Sequence, residues 1–273
     1  MKFIKMHGIG NDYVYIDCFK EKVDKPAELA KFVSDRHFGI GSDGLILVCP
    51  SESCDVKMDM YNLDGSRGEM CGNGARCVAK LAYDNGYVKK KKFLLETLGG
   101  VKEIEVHLGK DNLVETVTVN MGKPKLISKL PEHIFVMNKD EEFVGIDVGN
   151  PHAVYFLDSL EKLKALDLEK IGSFYENHER FPNRVNSEFI YVKDKENIYM
   201  RVWERGSGET LACGTGATAS AYASILKGLV LDKVHLHLTG GVLDIEFDKN
   251  SGNIYMTGNA VEVFRGEINI NHL

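Results

Sequence analysis

EMCGNGA, at residues 69–75, is matched half a chain later by LACGTGA, at residues 211–217. Cys71 and Cys213 stand 142 residues apart in a chain of 273. Flanking positions match in the same order at offsets of 139 to 142, among them Gly10-Asn11 with Gly149-Asn150, Met58 with Met200, and Gly86 with Gly228. Self-similarity at one offset indicates a duplicated structural unit. The sequence predicts two homologous halves, residues 1–120 and residues 121–260, with residues 261–273 as a segment that could pack on the first half.

The apolar pattern is similar in the two halves. Alternating apolar residues predict strands before each cysteine motif, and Ala- and Leu-rich segments predict helices over 71–85 and 214–226. Gly86 is typical of a residue that follows a helix end. The predicted fold class is α+β, with two pseudo-twofold-related domains, each a curved mixed or antiparallel β-sheet wrapped around a central helix. We expect the two helix N-termini to face one another across a cleft.

Charge and hydropathy exclude two classes of partner. The 34 Lys and Arg are outnumbered by 40 Asp and Glu, so the positive field that binds nucleic-acid backbones is missing. The N-terminus turns polar too soon for a signal peptide, and no stretch approaches the ~18 apolar residues of a membrane span. We expect a cytoplasmic protein that binds neither nucleic acid nor membranes.

The six cysteines do not form a recognisable metal or disulfide motif. A chain of this length with few cysteines does not need disulfide staples. CxxC, HExxH and zinc-finger spacings are absent from the sequence, so no metal site is expected. GIGSDG, at residues 39–44, matches the dinucleotide fingerprint, but a strand-like segment follows it where that fingerprint requires a helix, and we reject nucleotide binding.

Cys71 and Cys213 each precede a Gly-x-Gly at a predicted helix start. A free cysteine is usually a buried apolar thiol, and either cysteine taken alone could be interpreted in that way. At a helix N-terminus, however, unpaired N–H groups and the helix dipole favour the thiolate and can lower the thiol pKa. The glycines let an anion approach the backbone closely. The duplicated motif therefore predicts two bases and two anion-binding helix ends.

Two such thiols suit the inversion of a carbon stereocentre. Removing the α-proton of an amino acid spreads negative charge into its carboxylate, which N–H donors stabilise in the transition state. Inversion needs a base on one face of the carbon and an acid on the other, with exchanged roles in the reverse direction. The pattern therefore favours cofactor-independent amino-acid epimerisation.

Six blocks of the chain resemble diaminopimelate epimerases. They cover nearly the whole length in order: HGIGND (7–12), YNLDG (61–65), MCGNGAR (70–76), GNPH (149–152), PNRVN (182–186) and WERGSGETLACGTG (203–216). The resemblance implies two similar α/β domains, catalytic Cys71 and Cys213, no pyridoxal phosphate or other cofactor, and a homodimer. It also implies LL- and meso-2,6-diaminoheptanedioate (diaminopimelate) as small-molecule substrates, in lysine and peptidoglycan-precursor biosynthesis.

The resemblance also implies the residues of the site. His152 and Glu204 would tune the thiols and act with them. The implied substrate ligands are Asn11, Asn62, Gly72, Asn73, Asn150, Asn186, Glu204, Arg205, Gly214 and Thr215. A substrate with two ammonium and two carboxylate groups needs donors and acceptors together, which Asn supplies without net charge, while Arg can grip a carboxylate with two hydrogen bonds. Any one of the asparagines could instead be an ordinary turn residue.

Two alternatives remain open from the residues alone. Another cysteine-pair enzyme, such as a proline or hydroxyproline racemase-like protein or an isomerase of the same fold, would use the same thiols, although its substrate needs no second charged anchor. A thiol redox or zinc-binding protein could use Cys71 and Cys213 as a switch. Label release from proline or diaminopimelate would separate the first pair of functions, and metal content would test the second alternative.

Overall fold

The computed structural model of the chain describes residues 1–270. They divide into two compact units, Met1–Val119 together with the residues from Gly258 onward, and Asn120–Thr257. Within the described range, no helix is both long enough and apolar enough to cross a membrane. The last three positions of the predicted segment 261–273 lie outside the described residues.

The first unit is a mixed sheet with two helices. Its elements are β1 (Lys2–Gly8), β2 (Asn11–Asp17), α1 (Pro26–Ser34), β3 (Gly44–Cys49), β4 (Val56–Asn62), β5 (Arg67–Gly68), α2 (Gly72–Asp84), β6 (Lys92–Glu96), β7 (Lys102–Leu108) and β8 (Val114–Gly122), whose last residues enter the second unit. Neighbouring strands are antiparallel except for the parallel pairs β2–β3 and β4–β6.

The second unit follows the same plan. Its elements are β9 (Lys125–Leu126), β10 (Glu132–Val136), β11 (Lys139–Asp147), β12 (Pro151–Phe156), α3 (Leu160–Ala165), α4 (Leu168–Glu176), β13 (Asn186–Val192), β14 (Asn197–Glu204), β15 (Gly208–Thr210), α5 (Gly214–Leu226), β16 (Lys233–Leu238), β17 (Gly241–Phe247) and β18 (Ile254–Asn259). The last strand, β19 (Val261–Glu267), pairs antiparallel with β1 in the first unit.

The parallel pairs recur at equivalent places in the two units. The pair β2–β3 corresponds to β12–β13, and β4–β6 corresponds to β14–β16. The register agrees as well, since Tyr15 lies opposite Ile46 and Val154 lies opposite Glu188. The predicted α+β class with duplicated sheet-and-helix units is therefore confirmed.

Each sheet surrounds the helix that follows its cysteine. Helix α2 contacts β1, β2, β3, β4 and β7, and helix α5 contacts β11 to β14, β16 and β17. Both helices are lined mainly by small side chains, with Ala75 and Ala79 buried in α2 and Ala217 and Ala221 buried in α5. Small residues on nearly every face allow strands to approach the helix from several sides, which a single apolar stripe would not.

The prediction of one helix per unit is incomplete. Helix α1 packs on the outer face of β3 and β4, and helix α4 packs on β13 and β14. Leu29 and Val33 of α1, and Leu168 and Tyr175 of α4, enter separate apolar cores there. These helices are only nine residues each, so their apolar periodicity is short and was not recognised.

Candidate active site

Cys71 and Cys213 are the N-cap residues of α2 and α5. Their backbones are extended, with φ of -130° and -121°. The N–H of Gly74 donates to Cys71 Sγ at 3.4 Å, and the N–H of Gly216 donates to Cys213 Sγ at 3.3 Å. Each sulfur therefore takes the capping position that a Ser or Asp oxygen normally fills. The predicted placement of both thiols at helix starts agrees with this geometry.

The Cys71 thiol lies among amide groups. It donates to Asn11 Oδ1 at 3.2 Å, and Asn73 Nδ2 approaches the same oxygen at 3.4 Å. Gly72 is buried in the first turn of α2, beside Asn73. The structure thus brings together four of the predicted residues, Asn11, Cys71, Gly72 and Asn73, at one helix end.

Asp43 fixes the orientation of the Asn11 side chain. Its Oδ2 accepts from Asn11 Nδ2 at 2.8 Å and from the N–H of Asp12 at 3.2 Å, while its Oδ1 pairs with Arg36 at 3.0 Å. Because Oδ2 also accepts from the N–H of Asp12, it acts as an acceptor, and the amide nitrogen of Asn11 faces it. The carbonyl oxygen of Asn11 is thereby turned toward Cys71.

Asn73 is held by a fully buried arginine. Arg76, with no exposed surface, donates to Asn73 Oδ1 at 2.9 Å and to the backbone oxygen of Asn259 at 3.0 Å. Its guanidinium thus links the first turn of α2 to Asn259, one of the C-terminal residues that belong to the same unit.

Asn62 takes part in a local turn. It ends β4, and its Nδ2 donates to Ser66 Oγ at 3.0 Å. Gly44 lies opposite Asn62 in the pairing of β3 with β4, so Asn62 lies at the same sheet edge as Asp43. Among residues 1–270, no hydrogen bond joins its side chain to the residues around Cys71. The alternative that Asn62 is an ordinary turn residue therefore remains.

Cys213 lies in a more acidic and more buried environment than Cys71. It is 5% exposed, and its sulfur lies 3.4 Å from Thr215 Oγ1. Burial, followed by the negative charges of Glu204 and Glu188, raises the pKa of the Cys213 thiol well above its ordinary value, against the opposing effect of Thr215 and the Gly216 N–H. The N–H at the helix end lowers the pKa of Cys213 as expected, but desolvation and two carboxylates outweigh it, so the net direction is upward.

Glu204 ends β14 beside Cys213. It accepts a hydrogen bond from the Thr210 hydroxyl across the β14–β15 hairpin. Burial raises the pKa of the Glu204 carboxyl, and the charge of Glu188 adds to that effect, whereas hydrogen bonds from Thr210 and Cys213 oppose it. Glu204 occupies the position of Asn62 in the repeat, so the second unit carries an acid where the first carries an amide.

His152 and Glu188 form a fully buried pair behind this site. His152 Nδ1 lies 2.7 Å from Glu188 Oε1, and both side chains have no exposed surface. The other ring nitrogen, Nε2, lies 3.0 Å from Asn150 Oδ1. A β-carbon placed on Gly216 would lie 2.6 Å from Glu188 Oε1, so the carboxylate lies directly against the first turn of α5.

Asn186 and Arg205 complete the second group. Asn186 donates through Nδ2 to the backbone oxygen of Pro151 at 3.1 Å, and its Oδ1 accepts from the N–H of Arg205 at 2.9 Å. The Arg205 guanidinium is exposed and donates to the backbone oxygen of Asn183 at 3.2 Å. Gly214 is buried and Thr215 half-buried in the first turn of α5.

Sequence reasoning missed Asp43 and Glu188. Asp43 lies within the rejected GIGSDG match, and that segment leads into strand β3. Glu188 stands among apolar residues of β13, at the position that Ile46 occupies in the first unit. Extending the repeat through β3 and β13 would have shown a charged residue opposite a core isoleucine. Among residues 1–270, no cluster of three or more His, Cys, Asp or Glu side chains is arranged to hold a metal ion.

Comparisons with known proteins agree on one family. The family model described as diaminopimelate epimerase matches residues 3–127 and 144–263. The chain is 49% identical to the diaminopimelate epimerase of Acetivibrio thermocellus, with 100% of each chain covered, and 47% identical to that of Methanococcus maripaludis, with 99% of this chain and 100% of the relative covered.

Solved structures with low identity share the fold. A phenazine biosynthesis protein of the PhzF family from Bacillus anthracis superposes with a TM-score of 0.76 at 16% identity, covering 99% of each chain. A hydroxyproline epimerase from Agrobacterium vitis superposes with a TM-score of 0.71 at 16% identity, covering 99% of this chain and 93% of that one.

Proposed function

The chain belongs to the diaminopimelate epimerase family, and from that premise we propose that Cys71 and Cys213 act as the two bases of its reaction. The enzyme is an isomerase that converts LL-diaminopimelate to the meso isomer in lysine biosynthesis. The observation that carries the two-base proposal is the shared N-cap geometry, in which each sulfur accepts the N–H of the third residue of its helix.

The proposed step is a proton relay through the substrate carbon. One sulfur, as thiolate, takes the α-hydrogen: the C–H bond breaks, an S–H bond forms, and the electron pair stays on the carbon and its carboxylate. The other sulfur, as thiol, delivers its proton to the opposite face. Each turnover leaves the first sulfur protonated and the second deprotonated, and the reverse reaction exchanges their roles.

The environment of Cys213 supports its entry into the reaction as the thiol. Burial and the carboxylates Glu204 and Glu188 raise its pKa, so the protonated form is favoured at neutral pH. An acid must hold its proton until the carbanion forms, and a raised pKa serves that requirement.

The environment of Cys71 supports binding of the substrate carboxylate. Asn11 Oδ1 accepts from its thiol, and the surrounding donors come from amides without formal charge. The backbone N–H groups of the first turn of α2 supply donors for the substrate carboxylate, whose negative charge grows as the proton leaves. Asn73 adds a side-chain amide beside them.

We propose that the remaining family positions bind the substrate. The exposed guanidinium of Arg205 can donate two hydrogen bonds to a carboxylate, and Glu204 can hold an ammonium group. Further donors and acceptors would come from the other implied ligands, which are Asn62, Asn150, Asn186, Gly214 and Thr215. His152 supports this set indirectly, since its Nε2 holds the side chain of Asn150.

Solvent labelling tests the two-base mechanism. A thiol carries one proton, so the acid on the far face delivers a hydrogen already exchanged with solvent. In heavy water without added cofactor, LL substrate should give meso product with deuterium at the inverted carbon from the first turnover, while recovered LL substrate stays unlabelled early. Early product without deuterium, by mass spectrometry at low conversion, would contradict two separate bases and favour a single polyprotic base.

Assembly and location are proposed from the resemblance. We propose a homodimer that acts in the cytoplasm on a small-molecule substrate. Strand β19 supports a contact surface, because Val263 and Phe264 are 55% and 47% exposed on it. Exposed apolar side chains on a strand favour burial against a second copy.

A further inference from the structure

The side chain of Glu188 has an unusual environment for a carboxylate. It is fully buried, and its Oε2 has no hydrogen-bond partner among residues 1–270. A buried carboxylate costs stability unless it is paired, and removing water from one oxygen without replacing its hydrogen bonds adds to that cost. The pairing of Oε1 with His152 at 2.7 Å is its only described compensation. A residue kept under such conditions is a candidate for a role beyond packing.

The equivalent position in the first unit shows that the fold does not need an acid there. Ile46 occupies it, fully buried, and lies against Gly74 as Glu188 lies against Gly216: a β-carbon on either glycine would stand 2.6 Å from the side chain. The two strands have the same register with their neighbours. An aliphatic side chain therefore fits this position. The acid in the second unit is needed for a contact that the first unit does not have.

The contact that needs the acid is the one with the ring of His152. Its Nε2 faces Asn150 Oδ1, an acceptor, so Nε2 must carry a hydrogen. Its Nδ1 lies 2.7 Å from Glu188 Oε1, so the carboxyl group holds the opposite edge of the ring and fixes its rotation. An aliphatic residue at position 188 would leave the buried Nδ1 without this partner.

The two units consequently orient their repeated asparagines in opposite ways. Asp43 accepts from the amide nitrogen of Asn11, so Asn11 turns its oxygen toward Cys71. His152 donates to the carbonyl oxygen of Asn150, so Asn150 keeps its amide nitrogen free to donate. The two sheets are alike, but one half presents an acceptor and the other a donor.

We propose that Glu188 is a positioning residue of the Cys213 half of the site, which acts through His152 to hold Asn150 with its amide nitrogen available to a carboxylate oxygen of the substrate. This inference rests on the proposed function. Glu188 does not touch the substrate. It fixes the rotation of the imidazole, and the imidazole fixes the amide.

Four single substitutions and one double variant separate positioning from packing. Glu188→Ile installs the residue of the first unit and leaves His152 Nδ1 without its partner. Glu188→Gln removes the charge but can still pair with Nδ1 and so keep the ring in place. Ser187→Ala is the matched control, since Ser187 is fully buried, its Oγ has no described partner, and its side chain points to the other face of β13. Asn150→Ala, alone and with Glu188→Ile, tests the pathway.

We expect Glu188→Ile to lower kcat/KM for LL-diaminopimelate about ten-fold or more, mainly through KM, the scale of one charge-assisted hydrogen bond. Glu188→Gln should stay within about three-fold of the parent, and Ser187→Ala should match it. In the Asn150→Ala background, Glu188→Ile should cost nothing further. An equal loss with and without Asn150, or no loss in Glu188→Ile, would overturn the proposal.

A spectroscopic readout keeps the proposal testable if Glu188→Ile does not fold. In protein with ¹⁵N-labelled histidine, Nε2 of His152 should carry a proton in the parent and in Glu188→Gln, assigned by comparison with a His152 substitution. A bare Nε2 in the folded parent would reject the proposed orientation of Asn150. A parent without any LL-to-meso interconversion would instead count against the proposed function, and the spectrum would still decide the role of Glu188.

Discussion

Glu188 Oε1 lies 2.6 Å from the point where a β-carbon on Gly216 would stand, so the third residue of helix α5 cannot carry a side chain without displacing the buried acid. The same point on Gly74 lies 2.6 Å from Ile46 Cδ1, the mobile end of an aliphatic chain. The Glu188 oxygen is held by His152 and has little freedom to move.

Alanine at these two glycines is therefore expected to have unequal effects. Gly216→Ala should destabilise the protein by about 1–3 kcal/mol, the range for overpacking, while Gly74→Ala should cost less because the Ile46 end can rotate. For units of this size, about 1 kcal/mol corresponds to a Tm change of roughly 2–8 °C. Thermal unfolding of both variants checks the order, and a larger loss in Gly74→Ala would contradict it.

Loss of either proposed catalytic thiol should abolish epimerisation. We expect Cys71→Ala and Cys213→Ala each to lower kcat by roughly 10²- to 10⁴-fold or more, because each removes one general acid–base group. Cys54→Ser is the control, since Cys54 is a half-buried free thiol outside both groups. Substantial turnover by both alanine variants would reject the two-cysteine mechanism.

The acidity of Cys213 should respond to Glu204. A neighbouring negative charge raises the pKa of a thiol, so Glu204→Gln should lower the pKa of Cys213 and produce its thiolate at lower pH. The pH dependence of thiolate ultraviolet absorbance, after subtraction of the Cys213→Ala spectrum, measures this. Glu161→Gln removes an exposed charge of the same unit and should leave the titration unchanged. An unchanged or raised Cys213 pKa in Glu204→Gln would contradict the assignment of the Glu204 charge as a cause of the raised pKa.

Arg76 should matter for stability as well as for Asn73. Arg76→Met leaves the buried acceptors of Asn73 and Asn259 without their donor, which is expected to cost about 1–3 kcal/mol. Arg265→Met makes the same change at an exposed ion pair with Glu262 and should cost about 1 kcal/mol or less. Denaturant unfolding compares the two. Equal stabilities would show that the Arg76 hydrogen bonds are dispensable.

The proposed dimer predicts a sensitive position on β19. Val263→Glu places a charge at an exposed apolar site, and should shift the protein from dimer to monomer in light scattering. Val263 is preferable to Phe264, whose ring packs edge-on against Phe3 at 5.8 Å and whose loss would also disturb the fold. A parent that is already monomeric, or a variant of unchanged size, would reject this surface.

Much of the architecture could be predicted from local pattern. The repeat around Cys71 and Cys213 predicted two similar units, and the glycines after each cysteine predicted the helix starts that the structure has. These features depend on residues close together in the chain. The outer helices α1 and α4 were missed because nine residues carry too little periodicity to stand out, although Leu29 and Leu168 are buried by them.

The sequence by itself determined the family and the duplicated fold, and it predicted the two thiols, because each of these features depends on contiguous motifs. Only the tertiary structure decided how those thiols differ. Glu188 reaches the Cys213 helix from a strand 25 residues earlier in the chain, and Asp43 reaches Asn11 from the segment just before strand β3. The desolvation of Cys213 and the orientation of the Asn11 amide depend on which side chains contact one another across a sheet. No local pattern of residues specifies those contacts.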